Sequence, residues 1–452
     1  MNNADLIIIG AGPGGYETAL AASRQGKQVI LFNGDKLGGT CLNEGCIPTK
    51  CLCRDAEIAG LLSNREELCL DNLSYDIDFN KIMARKEDVV EKLRTGVETL
   101  LKQAKVTVIN AKACFKDAKT VIADGVEYTA ENIIIASGSE PKSLPIPGHD
   151  LECVMDSTRL LSLEYIPATL TIIGGGVIGM EFASIFSQLG SKVTVIEFMK
   201  QILPPFDSDV AKRLKQALAK KGVNIITGAA AKEIKQNEFY EIEVTYELKG
   251  KEEKVVSSDL LMAVGRAPRV NDLCLEKAGV EYSPKGIPVD DYMRTNVPGI
   301  YAIGDVNARM MLAHVASKQG ERALSAINNE ADDIRFDLVP SAVFTVPQCG
   351  MVGKTEQECK DEKIEIMTGM GYYRANGKAL ALAEPEGFCK LIFQKSDGRL
   401  IGAHIMGAQA ADMAQQCCDM MNRNITLKEM KEIIFGHPTL SEVIMSAAQN
   451  AK

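Results

Sequence analysis

The amino-acid sequence predicts an α/β protein made of two repeated strand-turn-helix-strand units followed by a C-terminal α+β domain. Two observations carry this prediction. A glycine-rich turn between an apolar strand and a helix occurs near the N-terminus and again after residue 170, and no such turn follows residue 340. The chain has 452 residues, and at roughly 150 residues per domain this length favours about three domains.

The first repeat consists of an apolar strand at 6–9, a glycine-rich turn, an alanine-rich helix at 16–24 and a second strand at 28–32. In this arrangement the glycines permit a tight turn and let the backbone approach a pyrophosphate, whose charge the helix N-terminus stabilises. The key glycines are Gly10, Gly12 and Gly15. The repeat therefore predicts a Rossmann-like dinucleotide-binding domain.

The second repeat has the same order, with a strand at 170–173, a helix that continues to Leu189 and a strand at 192–196. Its key glycines are Gly174, Gly176 and Gly179. A single glycine motif is weak evidence, but two complete copies in the right order strongly indicate two dinucleotide sites.

The two repeats differ where the second strand ends and the ribose-reading residue is expected. The second repeat has Glu197 there, whereas the first has Asn33. A carboxylate accepts hydrogen bonds from both ribose hydroxyls and repels a 2′-phosphate, so Glu197 favours NAD over NADP.

A cysteine pair with Cys-x4-Cys spacing, Cys41 and Cys46, follows the first repeat directly. Thiolates exchange with disulfides when one sulfur is accessible and activated, and they pass electrons onward only to an adjacent acceptor. The neighbouring nucleotide site supplies that context. We therefore interpret the pair as a redox dithiol rather than as two reduced core thiols.

Composition excludes several other classes of protein. The formal net charge of −9 and the lack of basic runs argue against nucleic acid as a partner. We expect no membrane span and no secretory signal, which predicts a cytoplasmic location. The thirteen cysteines are scattered, with no second Cys or His cluster, so we expect mostly reduced core thiols and no metal site.

The proline- and glycine-rich segment 139–150 reads as a linker, and 239–256 alternates around Lys249-Gly250 as a hairpin does. Between the repeats, segment 85–105 predicts a helix packed on a core. Its helically spaced apolar residues are Val89, Val90, Leu93, Val97, Leu100 and Leu101. The predicted domains are 1–145 and 266–335 for the first nucleotide, 146–265 for the second, and 336–452 for the α+β domain.

Together these segments resemble the FAD-dependent pyridine nucleotide-disulfide oxidoreductases over nearly the whole chain. Further matching segments are Ile135 to Ser139, Ala263 to Arg269, Thr295 to Asp305 and His437 to Glu442. The resemblance implies that the first repeat holds FAD, the second holds NAD, and the third domain forms the interface of a homodimer.

The resemblance also implies roles for individual residues. Asp305 would bind the ribityl chain of FAD, and Lys50 would lie near the flavin, paired with Glu181. Gly138 and Gly265 belong to the matched segments and are assigned to cofactor binding. Cys41 would be the exposed interchange sulfur and Cys46 the sulfur beside the flavin.

His437 is the candidate acid-base residue, because imidazole suits proton transfer near neutrality. It is one of four histidines, and Glu442, five positions later, could orient its ring. In the family this pair serves the dithiol of the other subunit. We interpret His149, His314 and His404 as structural.

Within the family, the redox segment and the NAD-type acid favour oxidation of protein-bound dihydrolipoamide to lipoamide. The implied partner is a lipoyl-bearing protein of a 2-oxo acid dehydrogenase complex or of a glycine cleavage system. Alternatives are an NAD(P)H-dependent reductase of the glutathione or mercuric type, and a flavoprotein scaffold with vestigial activity. A reductase of the mercuric type carries a second cysteine pair in a C-terminal tail. Here Cys417-Cys418 instead lies within a predicted helix, and we interpret these two residues as core thiols.

Two residues depart from the family pattern. Asn33 replaces the usual ribose-binding acid of the FAD repeat, which predicts weaker FAD retention. Glu44 stands between the redox cysteines where an apolar residue is usual, and a nearby carboxylate disfavours thiolates.

Overall fold

The computed structural model describes residues 2–63 and 69–452, which fall into two compact units. Unit 1 comprises residues 1–51, 81–142 and 265–334, and unit 2 comprises residues 52–80, 143–264 and 335–452. The finer division into four sequence segments stays a prediction. Among the described residues, no helix is long and apolar enough to cross a membrane.

The strands, in chain order, are β1 (Asn2–Ile9), β2 (Val29–Phe32), β3 (Thr107–Ile109), β4 (Cys114–Asp117), β5 (Thr120–Ala123), β6 (Val126–Ile135), β7 (Ser139–Pro141), β8 (Val154–Met155), β9 (Thr169–Ile173), β10 (Lys192–Glu197), β11 (Asn224–Thr227), β12 (Ala229–Gln236), β13 (Ile242–Leu248), β14 (Lys251–Ser257), β15 (Asp259–Met262), β16 (Arg266–Pro268), β17 (Ile300–Ala302), β18 (Ser341–Val343), β19 (Gln348–Gly353), β20 (Ile366–Tyr372), β21 (Phe388–Gln394) and β22 (Leu400–Gly407).

The helices are α1 (Pro13–Arg24), α2 (Gly39–Glu44), α3 (Cys46–Ser63), α4 (Phe79–Gln103), α5 (Ser157–Leu160), α6 (Val177–Gln188), α7 (Ser208–Lys220), α8 (Leu275–Ala278), α9 (Ala313–Ile327), α10 (Glu356–Asp361), α11 (Gly377–Ala381), α12 (Ala410–Asn422), α13 (Leu427–Glu432) and α14 (Glu442–Gln449). Short 3-10 turns lie at Gly304–Asn307 and Tyr373–Ala375.

Unit 1 is built on a mixed sheet in the order β3-β2-β1-β6-β5-β4, with β17 paired to the other side of β6. Strands β3, β2, β1, β6 and β17 run parallel, whereas β4 and β5 form an antiparallel edge. The central strand β1 is buried from Leu6 to Ile9, because α1 contacts it and Ile7 and Ile9 pack in one core cluster with residues of β4 and β5, which leaves no face for polar residues. This arrangement confirms the first predicted repeat.

Unit 2 contains the second repeat as a parallel sheet in the order β11-β10-β9-β15-β8. The predicted hairpin is present as β13 and β14, and β12 adds a third antiparallel strand. Lys249 and Gly250 have φ values of 52° and 78°. Positive φ at both turn residues is what a two-residue hairpin turn of type I′ requires.

The C-terminal part of unit 2 is an antiparallel sheet in the order β18-β19-β22-β21-β20, with α12 and α14 packed on it. This confirms the predicted α+β character. Cys417 and Cys418 lie in α12 and are both buried in the core beneath this sheet, which agrees with their interpretation as core thiols.

The predicted linker at 139–150 was wrong at its start. Residues Ser139 to Pro141 form β7, which pairs antiparallel with β16. The sequence could not indicate this, because three residues carry no periodic pattern and their partner lies more than a hundred residues further along the chain.

The predicted helix at 85–105 is present as α4, but part of its expected core face was wrong. Val90, Val97 and Leu101 are buried, whereas Leu93 and Leu100 are 43% and 49% exposed. At about 100° of rotation per residue, Leu93 and Leu100 lie some 60–80° around the helix axis from the centre of the buried stripe.

Candidate functional site

The first glycine-rich turn fixes the backbone between β1 and α1. Gly10 has φ +112°, and a Cβ there would lie 2.2 Å from the Ala136 carbonyl oxygen. A Cβ at Gly15 would lie 1.8 Å from the Gly10 carbonyl oxygen. A Cβ at Gly12, by contrast, would meet its nearest atom at 3.8 Å. Gly10 and Gly15 are therefore needed for the turn itself, and Gly12 leaves open the side from which a phosphate approaches.

Helix α1 begins without a side-chain cap. Its N-cap residue is Gly12, which offers no hydrogen-bond acceptor, Pro13 follows it, and no acidic residue lies in the first turn. The first amides of a helix need external acceptors, and the helix dipole favours an anion at this end. The N-terminus of α1 is thus suited to hold a pyrophosphate.

The second turn repeats this geometry in unit 2. A Cβ at Gly174 would lie 2.3 Å from the Ala263 carbonyl oxygen, and one at Gly179 would lie 2.0 Å from the Gly174 carbonyl oxygen. Nothing lies within 4 Å of a Cβ at Gly176, which is the uncapped N-cap residue of α6. Both turns therefore fit a dinucleotide.

Glu197 ends β10 and lies against this second turn. Its side chain is 7% exposed, and its two carboxylate oxygens accept hydrogen bonds from the Gly175 N–H at 2.5 Å and the Met199 N–H at 2.6 Å. Two backbone donors fix the plane of the carboxylate, while each oxygen retains a lone pair. The residue is held as a ribose-binding acid should be.

Asn33 ends β2 at the matching place in unit 1. Its amide N–H donates to the Asn110 side-chain oxygen at 2.9 Å, and its backbone N–H donates to the Ile109 carbonyl at 2.8 Å. The Asn33 side-chain oxygen remains as an acceptor for one hydroxyl. A cleft of ≈ 490 Å³ lies beside both asparagines and is also lined by Lys36 and Arg94. Sequence reasoning missed Asn110, because nothing near it in the chain marks it as the partner of Asn33.

The cysteine pair lies at a helix junction in unit 1. Cys41 is in α2 and Cys46 begins α3, and Gly45 ends the first helix with φ −146° and ψ −106°. The side chain of Asn43 donates to the Leu37 and Gly39 carbonyls, which holds the short α2 in place.

The Cys41 and Cys46 thiols are neighbours close enough to interact. This contact with Cys46, together with burial, raises the pKa of the Cys41 thiol, whereas the Lys50 ammonium acts in the opposite direction. Two neighbouring thiols of this kind can be joined as a disulfide by thiol-disulfide exchange. The structure therefore brings together the residues that the spacing predicted.

The exposures of the two sulfurs run opposite to the expectation. Cys41 is half-buried and Cys46 is exposed. Exposure in the chain alone does not identify the interchange sulfur, and that assignment continues to rest on the family resemblance.

Glu44 is held away from the role that its position suggested. Its carboxylate forms an ion pair with the Lys36 ammonium at 3.2 Å. A partner cation offsets the repulsion that the carboxylate would exert on a thiolate, so we expect a smaller effect on the dithiol than the sequence implied.

Asp305 lies in the 3-10 turn Gly304–Asn307 that follows β17. Its carboxylate accepts a hydrogen bond from the Ser139 hydroxyl at 2.5 Å, and Arg266 donates to that hydroxyl and to the Ser139 carbonyl, both at 2.7 Å. The pairing of β7 with β16 places Ser139 and Arg266 together. Both lie in the segments that suggested the resemblance, yet sequence reasoning missed them because neither residue type is marked by a spacing rule.

The glycines of the same two segments border this network. Gly138 and Gly265 have φ values of +76° and +106°, and nothing lies within 4 Å of a Cβ at either position. The Gly265 carbonyl accepts a hydrogen bond from the Lys142 N–H at 3.0 Å. Both glycines thus have open space beside them, next to the Asp305, Ser139 and Arg266 network.

Lys50 and Glu181 are found in separate units. Lys50 lies half-buried in α3, one helical turn after Cys46. Glu181 is 3% exposed in α6, and its carboxylate accepts a hydrogen bond from the Phe344 N–H at 2.9 Å. Their pairing stays a prediction.

His437 and Glu442 are brought together in unit 2. The His437 Nδ1 lies 3.0 Å from one Glu442 oxygen, and the other oxygen accepts from the Thr439 N–H at 2.8 Å. The Thr439 N–H and the imidazole hold the pKa of the Glu442 carboxyl below its usual value. A charged carboxylate favours the proton on Nδ1, which leaves Nε2 as the basic nitrogen of an imidazole that is 79% exposed.

Two of the other histidines, His149 and His404, have hydrogen-bond partners that fit a structural role. His404 is fully buried, its Nε2 lies 2.9 Å from the Lys354 carbonyl, and burial lowers its pKa. The His149 Nδ1 lies 3.1 Å from the Ser143 hydroxyl. Neither of these two hydrogen bonds is to a carboxylate, unlike that of His437.

Two family models match the chain. The model for pyridine nucleotide-disulphide oxidoreductases matches residues 4–320, and the model for their dimerisation domain matches residues 339–448. Together the two models span almost all of the sequence.

Similar proteins support the same assignment. A dihydrolipoyl dehydrogenase of Geobacillus stearothermophilus is 39% identical, with 99% of this chain and 96% of that protein covered. One of Bacillus subtilis is 37% identical, with 98% and 97% covered. Among solved structures, the HOCl-induced flavoprotein disulfide reductase RclA of Escherichia coli is similar, with a TM-score of 0.88, 29% identity, and 98% of this chain and 99% of that chain covered.

Proposed function

Because the chain belongs to the pyridine nucleotide-disulphide oxidoreductases, we propose that it is a dihydrolipoyl dehydrogenase that oxidises protein-bound dihydrolipoamide to lipoamide with NAD+. The observation that carries this proposal is the contact between the Cys41 and Cys46 thiols directly after a nucleotide-binding turn. Such a pair can shuttle electrons between a substrate dithiol and a bound cofactor.

The thiol chemistry involves the disulfide form of the pair. A substrate thiolate attacks Cys41, so that a substrate-sulfur bond to Cys41 forms and the Cys41–Cys46 bond breaks. The second substrate thiolate then attacks the first substrate sulfur, which closes the lipoamide disulfide and releases Cys41. The substrate loses two electrons and two protons, and the enzyme dithiol gains the two electrons.

The cofactors are FAD and NAD. The first turn and Asn33 would hold the ADP part of FAD, and Asp305, oriented by Ser139, would bind its ribityl chain. The second turn and Glu197 would hold NAD. When bound, FAD supplies a two-electron acceptor between the dithiol and the nicotinamide.

Glu197 also sets the choice of nucleotide. Its buried carboxylate would accept hydrogen bonds from ribose hydroxyls but would repel a 2′-phosphate. Lys50 would lie beside the dithiol, where its positive charge favours the Cys41 thiolate. Glu181 would fix that ammonium from α6.

His437 would be the acid-base residue. Its free Nε2 can take the proton of the substrate thiol, and Glu442 stabilises the imidazolium that results. Since residues 339–448 match a dimerisation domain, we infer a homodimer in which His437 of one subunit serves the dithiol of the other. The high exposure of the ring suits a residue that acts across an interface.

The lipoyl group would come from a partner protein, either of a 2-oxo acid dehydrogenase complex or of a glycine cleavage system. The electrons would then come from the two thiols of a protein-bound lipoyl group rather than from a free small molecule. The choice between these complexes is a matter for the partner's own sequence.

The test is NADH formation from free dihydrolipoamide by the FAD-loaded protein. We expect fast NAD+ reduction, much slower NADP+ reduction, and loss of activity in Cys41→Ser and in Cys46→Ser. A matched control is Cys153→Ser, because Cys153 is a half-buried thiol elsewhere in the chain and its loss should leave turnover unchanged.

Oxidation of NADH by glutathione disulfide is the comparison reaction. Rapid NADH oxidation by glutathione disulfide without NAD+ reduction by dihydrolipoamide would replace the proposal with a reductase function. Bound FAD without either activity would favour a scaffold.

A further inference from the structure

A second cysteine pair lies in unit 1, formed by Cys114 and Cys274. Cys114 is the first residue of β4, and Cys274 is the residue before α8. The Phe115 N–H donates to the Leu273 carbonyl at 2.8 Å, so the neighbour of each cysteine is joined to the neighbour of the other. This hydrogen bond fixes the two short segments side by side.

The two thiols are neighbours and are partly reachable from solvent. The hydrogen bond between Phe115 and Leu273 places Cys114 opposite Cys274, and both cysteines are half-buried. Burial and the contact with Cys274 raise the pKa of the Cys114 thiol, while the Lys277 ammonium acts to lower it. Two cysteines held opposite each other on adjoining backbone segments meet the main geometric requirement for a disulfide.

This pair is separate from the redox centre. Cys41 and Cys46 follow β2, which lies near one end of the sheet order β3-β2-β1-β6-β5-β4, whereas Cys114 is on β4 at the other end. The mechanism has no use for sulfurs at this edge. Core packing also explains the pair poorly, since the buried cysteines lie elsewhere, at Cys51 and in the C-terminal part of unit 2.

We propose that Cys114 and Cys274 form a second, reversible disulfide when the protein meets a low-molecular-weight disulfide such as glutathione disulfide. One protein thiolate attacks the reagent, forms a mixed disulfide and releases one glutathione thiolate. The other protein thiolate then attacks the protein sulfur of that mixed disulfide and releases the second glutathione. The two protein thiols lose two electrons and two protons, and one glutathione disulfide becomes two glutathione molecules.

The disulfide would tie together two stretches of unit 1 that are distant in sequence. Cys114 belongs to the stretch 81–142 and Cys274 to the stretch 265–334, with the whole second repeat between them. A cross-link over so long a loop restricts the unfolded chain strongly. It would also fix the segment at 273–274 against β4, the last strand of the sheet.

The experiment uses the FAD-loaded Cys41→Ser/Cys46→Ser protein, in which the redox centre cannot exchange. This protein is incubated with glutathione disulfide at pH 8.5, alkylated and digested without reduction. We expect a peptide pair joined through Cys114 and Cys274 that dithiothreitol separates. We also expect the unfolding temperature to rise by roughly 3–8 °C on oxidation.

Variants in the same background identify the sulfurs involved. Cys114→Ser and Cys274→Ser should each abolish the joined peptide and the rise in unfolding temperature, whereas the control Cys153→Ser should retain both. If one serine variant fails to fold, the other and the alanine variants at both positions give the same comparison.

Two results would overturn the proposal. One is glutathione on a single cysteine with no joined peptide, and the other is full alkylation of both thiols after incubation. Neither result bears on NADH formation from dihydrolipoamide, so failure here leaves the proposed function unaffected.

Discussion

Replacing Lys390 by methionine removes the cation that neutralises a buried carboxylate in unit 2. The Lys390 side chain is 2% exposed, and its ammonium lies 2.9 Å from Asp207, 2.8 Å from Asp209 and 3.0 Å from Glu356. The Asp207 side chain is 1% exposed, whereas those of Asp209 and Glu356 are 47% and 45% exposed. The desolvated pair with Asp207 therefore dominates the effect.

The magnitude follows from these exposures. Loss of one partner of a buried ion pair costs about 3–5 kcal/mol, because the remaining charge stays out of water. The two half-exposed carboxylates add about 0–1 kcal/mol each. Asp207 keeps the Asp209 N–H as a donor at 3.0 Å, so the cost should fall at about 3–4 kcal/mol rather than above this range.

The pH dependence has a definite sign. Burial raises the pKa of the Asp207 carboxyl, but His404, Lys390 and the Asp209 N–H outweigh this, so its net pKa lies below the usual value. Burial lowers the pKa of Lys390, but the hydrogen bonds to Asp209 and Asp207 outweigh it, so its net pKa is raised. The ion pair thus contributes fully to stability at neutral pH. Its contribution is lost as pH falls through the lowered Asp207 pKa or rises through the raised Lys390 pKa. In Lys390→Met the destabilisation should be smaller at about pH 4.5 than at pH 8, because Asp207 can then be protonated.

Hydrogen exchange of the peptides covering α7, β21 and β22 measures the effect locally, which avoids the multi-step unfolding of a long chain. A loss of about 3–4 kcal/mol corresponds to exchange roughly 100- to 1,000-fold faster in these peptides. The double variant Lys390→Met/Asp207→Asn should recover about half of the loss, since it removes the stranded charge.

The matched control is Lys395→Met. Lys395 is 61% exposed and lies 3.4 Å from Glu365, which is 80% exposed, so its loss should change stability by less than about 1 kcal/mol. Exchange in Lys390→Met as slow as in this control, or a double variant no better than the single one, would refute the argument from desolvation.

Three further predictions concern the cofactor sites and the acid-base pair. Gly12→Ala should fold normally but bind FAD roughly 10- to 100-fold more weakly in a titration, because the added Cβ has room in the protein yet faces the phosphate. The control variant Gly96→Ala, which also has open space around its Cβ, should bind FAD normally. Glu197→Gln should raise the Kd for NAD about tenfold in a fluorescence titration and reduce the protein's preference for NAD over NADP. An unchanged ratio of the two Kd values would show that this carboxylate does not set the choice of nucleotide. His437→Gln should lower kcat by roughly 10²–10⁴-fold and Glu442→Gln should lower it by less, while the KM for NAD+ stays unchanged in both variants. Equal losses of kcat in the two variants would mean that Glu442 does more than orient the imidazole ring.

Local patterns were enough to predict most of the fold. The run from Leu6 to Ile9, the glycine turns and the helix after each turn predicted both parallel sheets, because strand and helix periodicity and glycine sterics are properties of neighbouring residues. The same holds for the hairpin at Lys249-Gly250. The dithiol and the His437-Glu442 pair also have spacings short enough to be visible in the chain.

Contacts between distant segments were decided only by the tertiary structure. The pairing of Ser139 with Arg266 around Asp305, the Asn33-Asn110 hydrogen bond and the Cys114-Cys274 contact each join residues far apart in sequence. Nothing at either end of such a contact specifies the other, because it forms only once a sheet has set which strands are neighbours. The sequence by itself therefore determined the nucleotide turns and the redox pair, whereas the sheet topology decided which polar groups and which thiols meet.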